Sequence, residues 1–135
     1  MVLKSYRLMF LMNNGDIIKT YRISLGKNPT GHKTKEGDKK TPEGLYFIES
    51  RKPDSKYYKA LKISYPNDED RRRAQAMGFS PGGMIMIHGL PKDLESVGKM
   101  HRRLDWTDGC IGVTNEEIDE IWDLVPDGIP IYIKP

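Results

Sequence analysis

The chain has one cysteine, Cys110, and three histidines, His32, His88 and His101. A deprotonated thiol is a potent nucleophile, and an imidazole within hydrogen-bond reach can take its proton. Cys110 is therefore a candidate nucleophile, with His88 and His101, 22 and nine residues upstream, as candidate bases. Two other readings compete. An unpaired cysteine is often a small buried hydrophobe, and Ile111 directly follows it here. A metal ligand is the third reading. One Cys and three scattered His, with no CxxC or HxxxH, lack the usual ligand spacing, so no metal is expected.

The neighbouring residues weigh on the choice. "TDGCIGV" puts Cys110 just after the Asp108-Gly109 turn, at the start of a short apolar run, where backbone N–H groups stay available to an oxyanion. His88 closes the apolar run "GGMIMIH" and precedes Gly89, a place where a side chain can leave a sheet. Two strands ending side by side would bring thiol and imidazole together. The imidazole would then lower the thiol pKa and generate the thiolate.

The elements that must hold these ends are mostly strands. Residues 4–12 and 17–24 flank the cluster Asn13-Asn14-Gly15-Asp16, a hairpin signature. Residues 44–50 and 60–65 read as two further strands, and 129–134 as the last. Asn67 can cap a helix whose first turn is acidic and which Gly78 stops. Residues 91–104 place Leu94, Val97, His101 and Leu104 on one helical stripe, weakened by Gly98. Thr114 and Glu117 form a capping-box pattern opening a helix with Ile118, Ile121, Trp122 and Val125 on one face. The expected fold is mainly β with a few short helices packed on it.

"IHG" at 87–89 followed by "TDGCIGVTN" at 107–115 resembles the catalytic motif of the L,D-transpeptidase family of bacterial cell-wall enzymes. The stretch "ISLGKNPTGHKTKEGDKKTPEGLYFI", residues 23–48, resembles that family's strand, Gly-rich loop and Thr-Pro-x-Gly turn. The likeness runs from about residue 5 to 134. It implies a sandwich or barrel-like fold of mixed sheets and a cleft over the cysteine. The implied substrate is the peptide stem of peptidoglycan, cut between the L-centre of a diamino acid and the terminal D-alanine. By position, Cys110 would be the nucleophile that forms a thioester, and His88 the general base and later acid. Gly89 would orient the imidazole through its backbone, and the Gly109 and Cys110 N–H groups would form the oxyanion hole. Thr107 matches the family's Ser/Thr. Asp108 and Gly112 depart from the pattern: many members have His or Arg before the Gly-Cys, and Arg two residues after the cysteine. Those positions shape the acceptor side, and a carboxylate at 108 would either orient a histidine or repel an anionic stem. Trp106, beside the active turn, is a candidate cleft residue. His101 is expected to be structural and His32 a solvated loop residue.

The resemblance implies no cofactor. It also implies a periplasmic or wall-associated protein, since its substrate lies outside the cytoplasmic membrane. Hydrolysis by the same pair, as a carboxypeptidase or crosslink-cleaving endopeptidase, is the close alternative, with access of water set by residues 65–83. A non-catalytic wall-binding domain is the alternative from another class. With 135 residues, one catalytic domain is expected, as a monomer. No apolar run reaches the roughly 18 residues of a membrane span. The net charge of +3 arises partly from basic clusters at 26–40 and 70–75, expected to be solvated faces. No nucleic-acid motif accompanies them, and no nucleic-acid partner is expected.

Overall fold

The computed structural model describes residues 1–135. Its strands are β1 (Val2–Leu3), β2 (Leu8–Asn13), β3 (Asp16–Arg22), β4 (Gly44–Ser55), β5 (Tyr58–Ile63), β6 (Met86–His88), β7 (Ile111–Gly112) and β8 (Pro130–Lys134). Helix α1 spans Asp68–Met77 and α2 spans Asn115–Leu124. The fold is mainly β, with all eight strands in the order β3-β2-β1-β8-β4-β5-β6-β7. Two neighbouring pairs, β1 with β8 and β6 with β7, are parallel and the rest antiparallel, so the sheet is mixed.

The β2–β3 hairpin forms as its Asn-Gly turn predicts. Asn13 pairs with Asp16, and the two loop residues Asn14 and Gly15 both have positive φ, 52° and 84°. That is the backbone a primed two-residue turn demands. β4 is longer than expected. Its first residues pair with β8 and its later ones with β5, so one strand carries the sheet around a corner. The two ends of the strand order then meet. Ser24, just past β3, exchanges both backbone hydrogen bonds with Gly112 of β7, at 3.0 and 2.9 Å. The sheet therefore curls nearly closed. At that bridge the outer edge of β7 is covered, which shortens the free edge the sheet exposes.

Ile23, Leu61, Ile63, Ile111, Ile118 and Ile133 are among the fully buried side chains inside this curl. Helix α2 covers the core with Ile118 and Ile121, and Trp122 and Val125 pack alongside, as the stripe predicts. Both helices begin with reciprocal capping boxes, Asn67 with Asp70 and Thr114 with Glu117. No helix is long and apolar enough to cross a membrane.

The helix expected over 91–104 does not form as an α-helix. Lys92–Arg103 is instead a run of 3-10 turns broken at Gly98, whose φ of 54° and ψ of −132° are non-helical. The three-residue period of such turns rotates the apolar positions off a common face. Val97 and Leu104 consequently lie exposed, at 38% and 74%, while His101 stays buried. The strand expected over residues 4–12 is also divided. Arg7 has a φ of 53°, a turn separates β1 from β2, and the short β1 folds back against β2.

Candidate functional site

β6 and β7 run parallel with Ile87 opposite Ile111 and His88 opposite Gly112. Cys110 is one two-residue step before Gly112 and so projects to the same face as His88. Strand spacings of about 4.8 Å and a rise of about 3.3 Å per residue put the two Cα atoms about 8 Å apart, a diagonal that thiol and imidazole can bridge. His101 is carried by the 3-10 segment, with Nδ1 2.8 Å from Ser24 Oγ.

His88 is 1% exposed. Its Nδ1 lies 2.8 Å from the Gly89 carbonyl oxygen, and a carbonyl only accepts, so Nδ1 carries the proton. The neutral ring therefore has an unprotonated Nε2, the form a general base needs. Gly89 is held in turn by its N–H, which donates to Lys59 O at 3.2 Å. A Cβ on Gly89 would sit 2.5 Å from Asn115 Oδ1 and 3.1 Å from Tyr57 O, which accounts for the glycine.

The turn before Cys110 is closed by Thr107. Its buried hydroxyl donates to Cys110 O at 2.7 Å and accepts from Gly109 N–H at 3.1 Å. The Gly109 N–H is thereby occupied, whereas the Cys110 N–H has no partner within the protein. Gly109 adopts a φ of 135°. A Cβ there would meet Lys40 O at 2.7 Å. Cys110 Sγ donates to Met84 O at 3.4 Å, and the Met86 backbone bonds back to the sulfur.

The thiol pKa does not move in the expected direction. Burial pushes Cys110 up to about 11, and the Asp108 carboxylate adds to the rise. Burial likewise pulls His88 down to about 4. Desolvation disfavours both charged forms, so the free site holds a thiol and a neutral imidazole instead of an ion pair.

Residues 26–41 form a strap across this turn. Gly26 N–H donates to Thr41 Oγ1, Lys27 N–H to Thr107 O, and Thr107 N–H to Leu25 O. The strap has its own internal anchor in Asp38. Its carboxylate accepts from the backbone N–H groups of Thr34, Lys35 and Lys40 and from Lys33 Nζ, and these bonds hold its pKa below the usual range despite burial. Lys4 Nζ, also buried, ties Gly31 O and Thr41 O to the Glu43 carboxylate. The basic cluster at 26–40 is thus a docked strap and not merely a solvated face. The arginines of 70–75 are exposed on α1, as expected.

His32 is likewise no loose loop residue. Its Nδ1 accepts the Glu43 N–H at 2.8 Å and its Nε2 bonds Asp70 Oδ1 at 2.9 Å. Tyr46 donates to the other Asp70 oxygen at 2.6 Å, so the strap is pinned to α1 and β4. Buried hydrogen-bond partners outweigh the solvation that a basic loop would otherwise favour.

Asp108 pairs with neither histidine. It reaches Lys39 Nζ at 3.0 Å and Lys27 Nζ at 3.5 Å, and these cations hold its carboxyl below the usual range. Trp106 packs on Gly112, where a Cβ would lie 3.1 Å from the indole ring, and its centroid is 5.6 Å from that of His88. Its Nε1 is 3.4 Å from His101 Nδ1. An arginine at position 112 would displace this indole. Tyr57, at the β4–β5 turn, stacks on His88 with centroids 4.2 Å apart and planes at 16°. Sequence reasoning passed over Tyr57, because nothing in "SKYYK" marks which tyrosine folds back onto a strand two elements away.

No three His, Cys, Asp or Glu side chains converge as a metal-binding set. An apolar groove of about 520 Å³ between β2, β8 and α2 lies apart from Cys110 and His88.

The family profile described as the L,D-transpeptidase catalytic domain (YkuD) matches residues 1–133. The chain is 38% identical over 121 residues to YafK of Escherichia coli K12, whose name places it in the same family. That match covers 88% of this chain and 41% of YafK. Among solved structures, the helical cell shape determining protein Pgp2 of Campylobacter jejuni superposes with a TM-score of 0.73 at 28% identity. Bd1075 of Bdellovibrio bacteriovorus superposes at 0.66 and 29%. They match 99% and 98% of this chain, which spans 46% and 45% of theirs. The chain thus covers less than half the length of these relatives. Over its own length it belongs to the L,D-transpeptidase catalytic domain family.

Proposed function

We propose that residues 1–135 form a single, monomeric catalytic domain that transfers acyl groups from peptidoglycan stem peptides through Cys110. What supports this reading is the register of the parallel β6–β7 pair, which sets His88 opposite Gly112, two residues beyond Cys110, in a chain of a transpeptidase family.

As Cys110 Sγ adds to the carbonyl between the diamino acid's L-centre and the terminal D-alanine, the unprotonated Nε2 of His88 takes the thiol proton. The carbonyl oxygen becomes an oxyanion and accepts the free Cys110 N–H, with Gly109 shaping the turn that presents it. Thr107 holds that turn and the Gly89 carbonyl holds the imidazole. Collapse of the intermediate breaks the C–N bond, and His88 returns the proton to the departing D-alanine amine. A thioester on Cys110 remains. The amine of a second stem or of a protein lysine attacks it, and His88 takes the amine's proton as the thiol re-forms. No cofactor enters these steps.

Water in place of the amine gives carboxypeptidase or endopeptidase products from the same thioester. Residues 65–83 run up to Met84 beside the thiol, a position suited to choosing between them. Trp106 walls the imidazole side of the cleft. Asp108, neutralised by two lysines, does not repel an anionic stem. A link to cell shape is consistent with the description of Pgp2. The work site is the periplasm or wall, where the substrate lies.

The test is incubation with a disaccharide-tetrapeptide, with products resolved by mass spectrometry. Crosslinked dimer marks transpeptidation and tripeptide alone marks hydrolysis. Both should vanish in Cys110→Ala and fall steeply in His88→Gln. Products undiminished in Cys110→Ala would end the proposal, and binding without any product would favour a wall-binding domain.

A further inference from the structure

His88 is enclosed on two sides by rings that no catalytic motif specifies. Tyr57 lies against one face at 4.2 Å, nearly parallel. Trp106 stands at 5.6 Å with its plane tilted by 58°. The two outer rings are themselves 6.3 Å apart, so the three form one cluster.

Each outer ring has a built approach. Tyr57 sits in the turn closed by the Ser55–Tyr58 pair, with its N–H donating to Ser55 Oγ at 3.0 Å. Three residues later Ala60 pairs with His88, which fixes where that turn lies over β6. Gly89 lets the Tyr57 backbone approach, since a Cβ would be 3.1 Å from Tyr57 O. Gly112 does the same for the Trp106 indole. Glycine at both positions is what lets the rings close on the imidazole.

We propose that Tyr57 is a positioning residue for His88, its ring covering one face of the imidazole while Trp106 stands beside it, so that the imidazole plane is fixed and water is excluded from that face. The proposal rests on the reading of His88 as the base that takes the Cys110 proton. The stack fixes the plane of the imidazole, and the Nδ1–Gly89 O bond fixes which way round the ring sits in that plane. The two rings also account for the near-complete burial of a residue at the end of a strand. The titratable groups facing His88 are Tyr57 from the β4–β5 turn, His101 from the 3-10 segment and Cys110 from the turn before β7. Only His101 contributes a charge effect, and it acts with burial to lower the His88 pKa. The Tyr57 hydroxyl has no hydrogen-bond partner in the protein, so the ring face and not the hydroxyl is the working part.

The experiment compares Tyr57→Phe, Tyr57→Leu and Tyr57→Ala by two readouts. One is the NMR titration of the His88 ring, assigned by its loss in His88→Gln, which needs no turnover. The other is steady-state kinetics with the disaccharide-tetrapeptide. Tyr57→Phe should leave the His88 midpoint in place and kcat within about twofold, because aromatic stacking is retained. Tyr57→Leu and Tyr57→Ala should raise the midpoint by about one unit or more as water reaches the ring. They should lower kcat about tenfold with KM within about threefold, the pattern of a misplaced base. An unchanged midpoint in folded Tyr57→Leu and Tyr57→Ala overturns the proposal, as does a Tyr57→Phe variant as impaired as Tyr57→Ala. If the wild-type protein turns over no stem peptide, the proposed activity fails while the titration still decides whether Tyr57 encloses His88.

Discussion

Gly26→Ala isolates the contact between the 26–41 strap and the turn before Cys110. A Cβ at position 26 would lie 2.1 Å from Lys39 O, 2.9 Å from Lys39 C and 3.1 Å from Gly109 Cα. All three are backbone atoms, so no rotamer change relieves them. Non-bonded contact becomes favourable near about 3.5 Å, so the strap must retreat from the turn by more than about 1 Å. Lys39 O is the acceptor for Asn28 N–H at 3.0 Å, and Lys39 Nζ is a partner of Asp108, so both contacts are strained by that retreat. Overpacking plus one lost hydrogen bond should cost about 3 kcal/mol. In a domain of this size that lowers Tm by about 10 °C. A shift of about 1 Å at the Cys110 turn should cost about 100-fold in kcat/KM. Thermal melting by circular dichroism and turnover of the tetrapeptide donor read the two effects. Gly15→Ala is the control: nothing lies within 4 Å of its Cβ, and its strain at the hairpin tip is remote from the site. A Gly26→Ala protein with Tm within about 2 °C and activity within about twofold of wild type would refute the packing argument.

Iodoacetamide should modify Cys110 slowly at pH 7, since a thiol pushed from 9.0 up to about 11 holds about 100-fold less thiolate than an ordinary one. Full reactivity at pH 6 would mean a preformed ion pair. The acid limb of kcat/KM should lie near pH 4, where His88 gains the proton that stops it accepting another; a limb near 6.5 would show a solvated imidazole. Because the folded pKa of His88 is below its unfolded value, its stability contribution is complete above pH 6.5 and lost as pH falls through 4. Urea melts should show a decline of up to about 3 kcal/mol over that window, flattened in His88→Gln. Asp108→Asn breaks two exposed ion pairs and should change stability by about 1 kcal/mol or less; a large loss would mean that these pairs hold the strap. His101→Ala should destabilise by about 2 kcal/mol through its cavity and the lost Ser24 contact, with activity within about tenfold of wild type; a complete loss would move His101 into the chemistry.

The positions of Cys110 and His88 were legible because each sits at an element boundary marked in the sequence. Asp108-Gly109 precedes Cys110, Gly89 follows His88, and both apolar runs are β-forming. The capped helices and the Asn14-Gly15 turn were legible for the same local reasons. What escaped depends on contacts between distant segments. Tyr57 meets His88 only because β5 pairs with β6, and no periodicity encodes which of two adjacent tyrosines turns inward. The strap looked like a solvated basic loop because lysines usually are solvated; Asp38, Glu43 and backbone carbonyls reverse that for Lys33 and Lys4. His32 was misjudged on the same ground, its partner Asp70 being 38 residues away. The expected drop in the Cys110 pKa followed from the neighbouring imidazole alone. Burial, which raises it here, is a property of the folded sheet and not of the motif. The 3-10 segment broke the helical stripe because Gly98 takes a non-helical backbone, a choice a stripe cannot foresee.

The most direct test of the account is the intact mass of the protein, quenched in acid after brief mixing with the disaccharide-tetrapeptide and mapped by peptide digestion. The account predicts an adduct equal to the donor less its terminal alanine, carried on the peptide containing Cys110, absent in Cys110→Ala and reversed by hydroxylamine. An adduct on another residue, or undiminished product release from Cys110→Ala, would contradict it.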